Sequence, residues 1–199
     1  LKELNEHKKS LTFYEKAIQI EPNLVDPYLN QGIVFKELGD FEKAIFYFSK
    51  TLNIHPENIK GHQNLMESYE KTNQEKNFQK AVQNAKTLIK DNPIVKLYES
   101  IILYNSNKFT EAKDLLEKIS FNADDMGNEG KRVITLAQCY DRIGDSKNAF
   151  KNFSTANNIF LNLRTVNFFD KNRYLKIIDD RISFFAKTNI KNWTVLKLS

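Results

Sequence analysis

Between residues 25 and 58 the apolar side chains fall at helical spacing in two runs separated by a short break. The first run reads Tyr28-x2-Gln31-Gly32-x2-Phe35, and the second reads Phe41-x2-Ala44-x3-Phe48 with Leu52 and Ile54 next. Apolar residues at i, i+3, i+4 and i+7 mark one face of an amphipathic helix, so the stretch predicts two helices. The break Leu38-Gly39-Asp40 supplies a left-handed turn residue and a fresh helix start, and Pro56 stops the second helix. Gly32 and Ala44 are small, as a close approach of two antiparallel helices requires, and Tyr28, Phe35 and Phe48 fill the space around them.

The unit recurs. Upstream, Ser10-x3-Tyr14-x2-Ala17 leads to Ile20 and Pro22, which reads as a unit cut off inside its first helix. Downstream, His62-x2-Leu65-Met66-x2-Tyr69 precedes Ala81-x3-Ala85 and Pro93. The step from Ala44 to Ala81 is 37, which predicts three extra residues in the turn Thr72–Asn77. A fourth unit has the turn Asn107-Lys108-Phe109 and then Ala112-x3-Leu116; its step of 31 predicts a shortened first helix around Val95–Tyr104. The fifth reads Val133-x2-Leu136-Ala137-x2-Tyr140, the turn Ile143-Gly144-Asp145, then Ala149-x3-Phe153-x2-Ala156. Asn73 and Asn107 stand where Gly39 and Gly144 stand, and Asn is the next best residue at positive φ.

These spacings resemble the tetratricopeptide repeat (TPR), a helix–turn–helix unit of about 34 residues. The resemblance implies an all-α TPR helix–turn–helix solenoid, wound as a right-handed superhelix, with a C-terminal capping helix. Residues 1–160 would form the array, about four and a half repeats: 1–24 (partial), 25–58, 59–93, 94–126 and 127–160. Residues 161–199 would form the capping helix and a basic connector. The link Phe121–Gly130 holds Asp124-Asp125 and Gly127-Asn128-Glu129-Gly130. A phosphate-binding loop needs a strand before it and Lys-Ser/Thr after it, so the link reads as a helix stop followed by a new helix start. Beyond it, Phe153, Ala156, Ile159, Phe160 and Leu163 lengthen the last second helix. A loop Arg164–Asp170 and a helix Asn172–Lys187 follow, the latter with Tyr174, Ile178, Ile182 and Phe185 on one stripe.

Composition narrows the function. The chain has 199 residues, 41% hydrophobic and 28% charged, and no apolar run approaches the ~20 residues of a membrane span. A single cysteine, Cys139, excludes a disulfide framework and a multi-thiolate metal site, and points to a reducing, cytoplasmic setting. The chain begins at Leu1 rather than Met, as a piece of something longer would. The net charge of +5 lies wholly within 157–199, where eight bases face three acids. The array itself is close to neutral, which argues against nucleic acid as a partner.

Candidates for catalysis are sparse. His55 adjoins a helix-ending Pro, His62 takes the bulky slot of Tyr28, and His7 has no partner pattern. Cys139 sits among core positions, and the pairs Asp124-Asp125 and Asp179-Asp180 are adjacent, so on a helix they face apart. No catalytic residue, metal site or cofactor is expected in this chain.

Binding is the stronger expectation, because stacked repeats present their first helices on a concave face. The inward positions are Asp26, Leu29, Asn30, Ile33 and Lys36, then Lys60, Gln63, Asn64, Glu67 and Glu70. Leu97, Tyr98, Ile101 and Tyr104 follow in the fourth unit, and Lys131, Ile134, Thr135, Gln138 and Asp141 in the fifth. One reading is an amide ladder, Asn30 and Asn64, which resembles the Asn ladder of superhelical repeat arrays such as that of O-GlcNAc transferase and would hold an extended peptide. The other is an apolar groove of Leu29, Ile33, Leu97, Ile101 and Ile134 for an amphipathic helix or a neighbouring domain. The Lys/Asn clamp of chaperone-tail-binding repeats has no counterpart, since Lys60 is the only base in a suitable slot before Lys131.

The C-terminal pattern Ala149-Phe150…Phe153…Ala156-Asn157…Phe160, then Phe169-Asp170…Tyr174…Ile178…Ile182…Phe185, is similar to the junction of TPR-linked bacterial sulfotransferases. That resemblance implies a catalytic domain in cis beyond Ser199, opening with a strand and a Pro-Arg-Ser-Gly-Thr-Thr loop for PAPS. None of that family's catalytic or cofactor residues has a counterpart here. The expected function is a protein- or peptide-binding scaffold, the non-catalytic N-terminal region of such an enzyme, and the alternative is a free-standing adaptor in a protein complex.

Overall fold

The computed structural model describes residues 2–164; the expected loop beyond Arg164, the capping helix 172–187 and the connector that follows lie outside them. Among the described residues there are nine α-helices. In chain order they are α1 (Lys2–Ile20), α2 (Val25–Glu37), α3 (Phe41–Ile54), α4 (Ile59–Lys71), α5 (Glu75–Leu88), α6 (Pro93–Asn105), α7 (Phe109–Leu116), α8 (Met126–Arg142) and α9 (Ser146–Arg164). A 3₁₀ turn, Ala123–Asp125, precedes α8. Each helix packs on its sequence neighbours, and the first helices α2, α4, α6 and α8 also contact one another in succession. This is the helix–turn–helix stack of a solenoid.

The four intra-repeat turns share one construction. In the first, Gly39 N–H donates to the Lys36 carbonyl at 3.1 Å and Asp40 N–H to Phe35 at 2.9 Å, with Gly39 at φ 78°. The same pair of bonds recurs at Asn73/Gln74, Asn107/Lys108 and Gly144/Asp145. Asn73 (54°), Asn107 (60°) and Gly144 (84°) take the left-handed conformation in turn, as the sequence predicts. Helix starts are capped by side chains: Asp40 accepts from Lys43 N–H, Asn58 from Gly61, Asn92 from Ile94 and Asp145 from Asn148.

These turns correct the expected spacing. Gly39, Asn73 and Asn107 are 34 residues apart each time, and the α4–α5 turn holds three residues, as the α2–α3 and α6–α7 turns do, so Thr72–Asn77 contains no insertion. Phe78, rather than Ala81, occupies the position equivalent to Ala44. Nor is the first helix of the fourth unit shortened: α6 has 13 residues, as α2 and α4 do. The short helix is α7, with eight. The extra residues fall between α7 and α8, and Gly144 follows Asn107 by 37. The Ala-to-Ala steps misled because repeat three exchanges small for large, with Phe78 buried where Ala44 is.

A packing need accounts for the break after α7. Phe121 lies against the apolar cluster of α2–α6 and also against that of α6–α8, a bridge that a continued helix would not make. Arg132 and Glu129 of α8 secure the link. Arg132 donates to the Leu116 carbonyl at 3.1 Å and grips Glu129 through Nε and Nη2, and Glu129 accepts from Phe121 N–H at 3.2 Å. The Arg132 guanidinium, against partial burial, holds the Glu129 carboxyl below the usual carboxylate range. Gly127 and Gly130 lie inside α8, so the link is no phosphate loop; Gly130 meets the ring of Phe160 on α9.

The first unit also differs from expectation. α1 runs unbroken from Lys2, with no turn one repeat upstream of Gly39; Ser10, Tyr14 and Ala17 lie on it 34 residues before Ala44, Phe48 and Thr51, as in the second helix of a unit, and no end of a first helix precedes them among the described residues.

Candidate ligand-binding face

The expected partner-binding residues all lie on α2, α4, α6 and α8, but burial divides them. Leu29, Leu97 and Ile101 are 6%, 0% and 7% exposed, which places them in the core. Leu97 packs with Ala112, Leu116, Leu136 and Cys139, so the five aliphatic residues do not form one open apolar groove. Ile33 and Ile134 remain half-buried, and Gln138 is exposed. The face is therefore polar where it is open.

Its polar groups join neighbouring repeats. Lys36 Nζ on α2 reaches Asn64 Oδ1 at 2.7 Å and Glu67 Oε2 at 2.8 Å on α4. Asn64 spends its N–H on the Lys60 carbonyl at 2.8 Å, so both ends of this amide are engaged. Asn30, the other rung of the expected ladder, is half-buried and its amide makes no hydrogen bond within the described chain. The two equivalent amides thus differ: one is a structural cross-link and the other is available.

Further along, α8 contributes groups that the sequence did not single out together. Gln63 Nε2 donates to Asn128 Oδ1 at 3.3 Å, and Asn128 is itself oriented by Asp125 at 2.8–2.9 Å. Lys131 pairs with Glu70 and lies 4.5 Å over the ring of Tyr98. These contacts run from α4 to α8 past α6. Tyr98 is 1% exposed beneath them; burial, then the carboxylates of Glu67, Glu70 and Asp125, push its phenol well above the ordinary tyrosine value.

Two of the chemical candidates, His62 and Cys139, are packed into the interior. His62 is buried with Nε2 2.7 Å from the Pro56 carbonyl, and burial pushes its ring below the ordinary histidine value. Cys139 is buried and its thiol is pushed up to about 11, which leaves it un-ionised at neutral pH. No group of three or more His, Cys, Asp or Glu among the described residues is placed to hold a metal, and none of their helices is long and apolar enough to cross a membrane.

Family models of the tetratricopeptide repeat match residues 1–24 and 13–46. No curated protein matches the chain by sequence. Among solved structures, YrrB, a TPR protein with an unusual peptide-binding site, is 21% identical over 80% of this chain and 80% of its own, with a TM-score of 0.55. MamA (residues 41 to the end) from Desulfovibrio magneticus RS-1 is 17% identical over 79% of this chain and 88% of its own, with a TM-score of 0.58. The APC/C hetero-tetramer Cut9–Hcn1 has a TM-score of 0.65 at 12% identity, over 78% of this chain and 30% of that one. At such identities the likeness is one of fold. Together with the four matching turns, it shows the fold to be that of a tetratricopeptide-repeat solenoid.

Proposed function

We propose that the first-helix face is a concave surface that binds a segment of a partner protein, and that the chain serves as a scaffold rather than a catalyst. The observation that carries this reading is the Asn30 amide, half-buried and unbonded, beside Ile33 and the Lys36–Asn64–Glu67 cross-link. An amide that both donates and accepts suits the backbone of an extended peptide, and Ile33 adds an apolar contact for an alternate side chain. Gln63, Asn64 and Glu67 then form the far wall, with Ile134 and Gln138 on α8. A TPR relative in fold, YrrB, is described as having a peptide-binding site, which agrees with this use of the architecture.

The test is a selection of displayed random peptides on the full chain, followed by Asn30→Ala and Ile33→Ala. Loss of the selected binders with an unchanged thermal transition is expected. Binders indifferent to both substitutions would sink the reading.

For the setting, we propose the cytoplasmic, non-catalytic arm of a sulfotransferase-like protein, on the resemblance of the Ala149–Phe160 pattern to that junction. The reading frame after Ser199 decides: a strand followed by Pro-Arg-Ser-Gly-Thr-Thr supports it. A stop codon or further repeats there would favour a free-standing adaptor.

A further inference from the structure

In a simple repeat array each unit touches only its neighbours. Here α8 reaches past α6 to α4, and it does so with a lysine. The Lys131 ammonium lies 4.5 Å over the Tyr98 ring, 3.4 Å from the Tyr98 hydroxyl, and in an ion pair with Glu70. An aromatic face with a carboxylate beside it is how proteins recognise ammonium and guanidinium groups. We propose that Lys131 is a built-in occupant of a cation-binding site, and that a lysine or arginine side chain of a partner protein takes its place.

Three features support a site rather than an incidental surface pair. First, the repeat register places amides at the positions equivalent to Tyr98 (Asn30 and Asn64), whereas here a buried aromatic ring forms a floor. Second, Glu70 is shared with a cleft of about 400 Å³ lined by Tyr69, Asn73, Glu75, Phe78 and Asn105. Phe78 continues the floor, its ring edge-on to Tyr98 with centroids 5.9 Å apart. That cleft has room for the stem and backbone of an incoming basic residue, and Glu75 offers a second carboxylate. Third, the surrounding charge favours a cation. Glu67, Glu70 and Asp125 all act on Tyr98, and the ion pair of Lys36 is made with Glu67.

Lys131 is held loosely enough to leave. Its side chain and that of Glu70 are 25% and 27% exposed, and the other α4–α8 bond, Gln63 to Asn128, is a single 3.3 Å contact. Once Lys131 withdraws, Glu70 stands without a basic partner beside a buried ring, a state that another cation relieves.

The site differs from the Asn30 face in chemistry, since a backbone held by amides needs no charge, so either can fail alone. The probe is Nα-acetyl-lysine N-methylamide, titrated by calorimetry into the full wild-type chain and into Lys131→Ala. Removing an internal competitor held by a partly screened ion pair should tighten binding about fivefold. The Nε-acetylated probe should show no gain, and adding Glu70→Gln to Lys131→Ala should abolish it. Lys131→Met, which keeps an uncharged stem over Tyr98, should move affinity in the same direction and covers the case in which the alanine variant folds poorly. Equal binding by wild type and both variants, or a gain that survives Nε-acetylation, overturns the proposal.

Discussion

A β-carbon on Gly32 would lie 2.4 Å from Cε1 of Phe48, so the ring of one helix occupies the space where any side chain on the other would begin. The ring is fully buried and cannot step aside. Gly32→Leu is therefore expected to destabilise the array by about 3 kcal/mol, at the upper end of overpacking costs. Repeat three shows the escape: its equivalent pair is Met66 and Val82, both buried. Gly32→Met with Phe48→Val should recover most of the loss, read as the midpoint of urea unfolding. A Gly32→Leu variant that melts with the wild type would refute the packing.

Gln31 is 1% exposed, and neither its Nε2 nor its Oε1 has a hydrogen-bond partner among the described residues. The same register position holds Leu65 in repeat three and Leu136 in repeat five. Leaving a buried amide unsatisfied costs about 1–3 kcal/mol, so Gln31→Leu should stabilise the protein by an amount in that range. A denaturation midpoint that drops instead would show that the amide has a partner in solution.

His62 gives a pH dependence whose sign is fixed. Burial lowers its folded pKa below the ordinary 6.5, so the unfolded chain binds the proton more readily. Stability is full above about pH 6.5 and declines as pH falls from there toward the folded pKa. Melting curves between pH 7 and 5 should show this decline. His62→Gln, whose amide N–H can reach the Pro56 carbonyl, should flatten it; an unaltered slope in that variant assigns the effect elsewhere.

Arg132 ties the α7–α8 link to α8 through the Leu116 carbonyl and Glu129. Arg132→Met keeps the stem and removes the fork, leaving the carbonyl without its donor and the carboxylate without its base. A loss of about 2–3 kcal/mol is expected from charged hydrogen bonds of this kind. Arg132→Lys should recover only part of it, because one ammonium does not reproduce a planar fork. Full recovery by lysine would show that charge alone matters.

The turns were legible because a single requirement, positive φ, admits few residue types: Gly39, Asn73, Asn107 and Gly144 announce themselves. The core of repeat two was legible for a similar reason, since Gly32 is small only because Phe48 is large. Repeat three was misread where that size relation is reversed. A Phe at the Ala44 position carries no local sign that its partner has changed, so the nearest alanines, Ala81 and Ala85, drew the register three residues off. Along the first-helix face, spacing alone did not separate buried from exposed positions. Leu97 and Ile101 point to the inner side by spacing, yet both are buried by other helices, Leu97 among residues of α7 and α8 and Ile101 in the cluster of α2–α6. The Lys131–Glu70–Tyr98 cluster joins residues up to 61 apart, and no periodicity along the chain brings them together.

The bonds between α4 and α8 also set what can be done to this array by recombination. Repeat proteins that interact only between neighbours tolerate the deletion or duplication of an inner unit, because each junction is equivalent. Here the fourth unit is spanned as well as flanked. Removing it would bring together two surfaces already shaped to meet across it, and copying it would part Glu70 from Lys131 by a full repeat. The chain has the look of a periodic object but a fixed length in its C-terminal half.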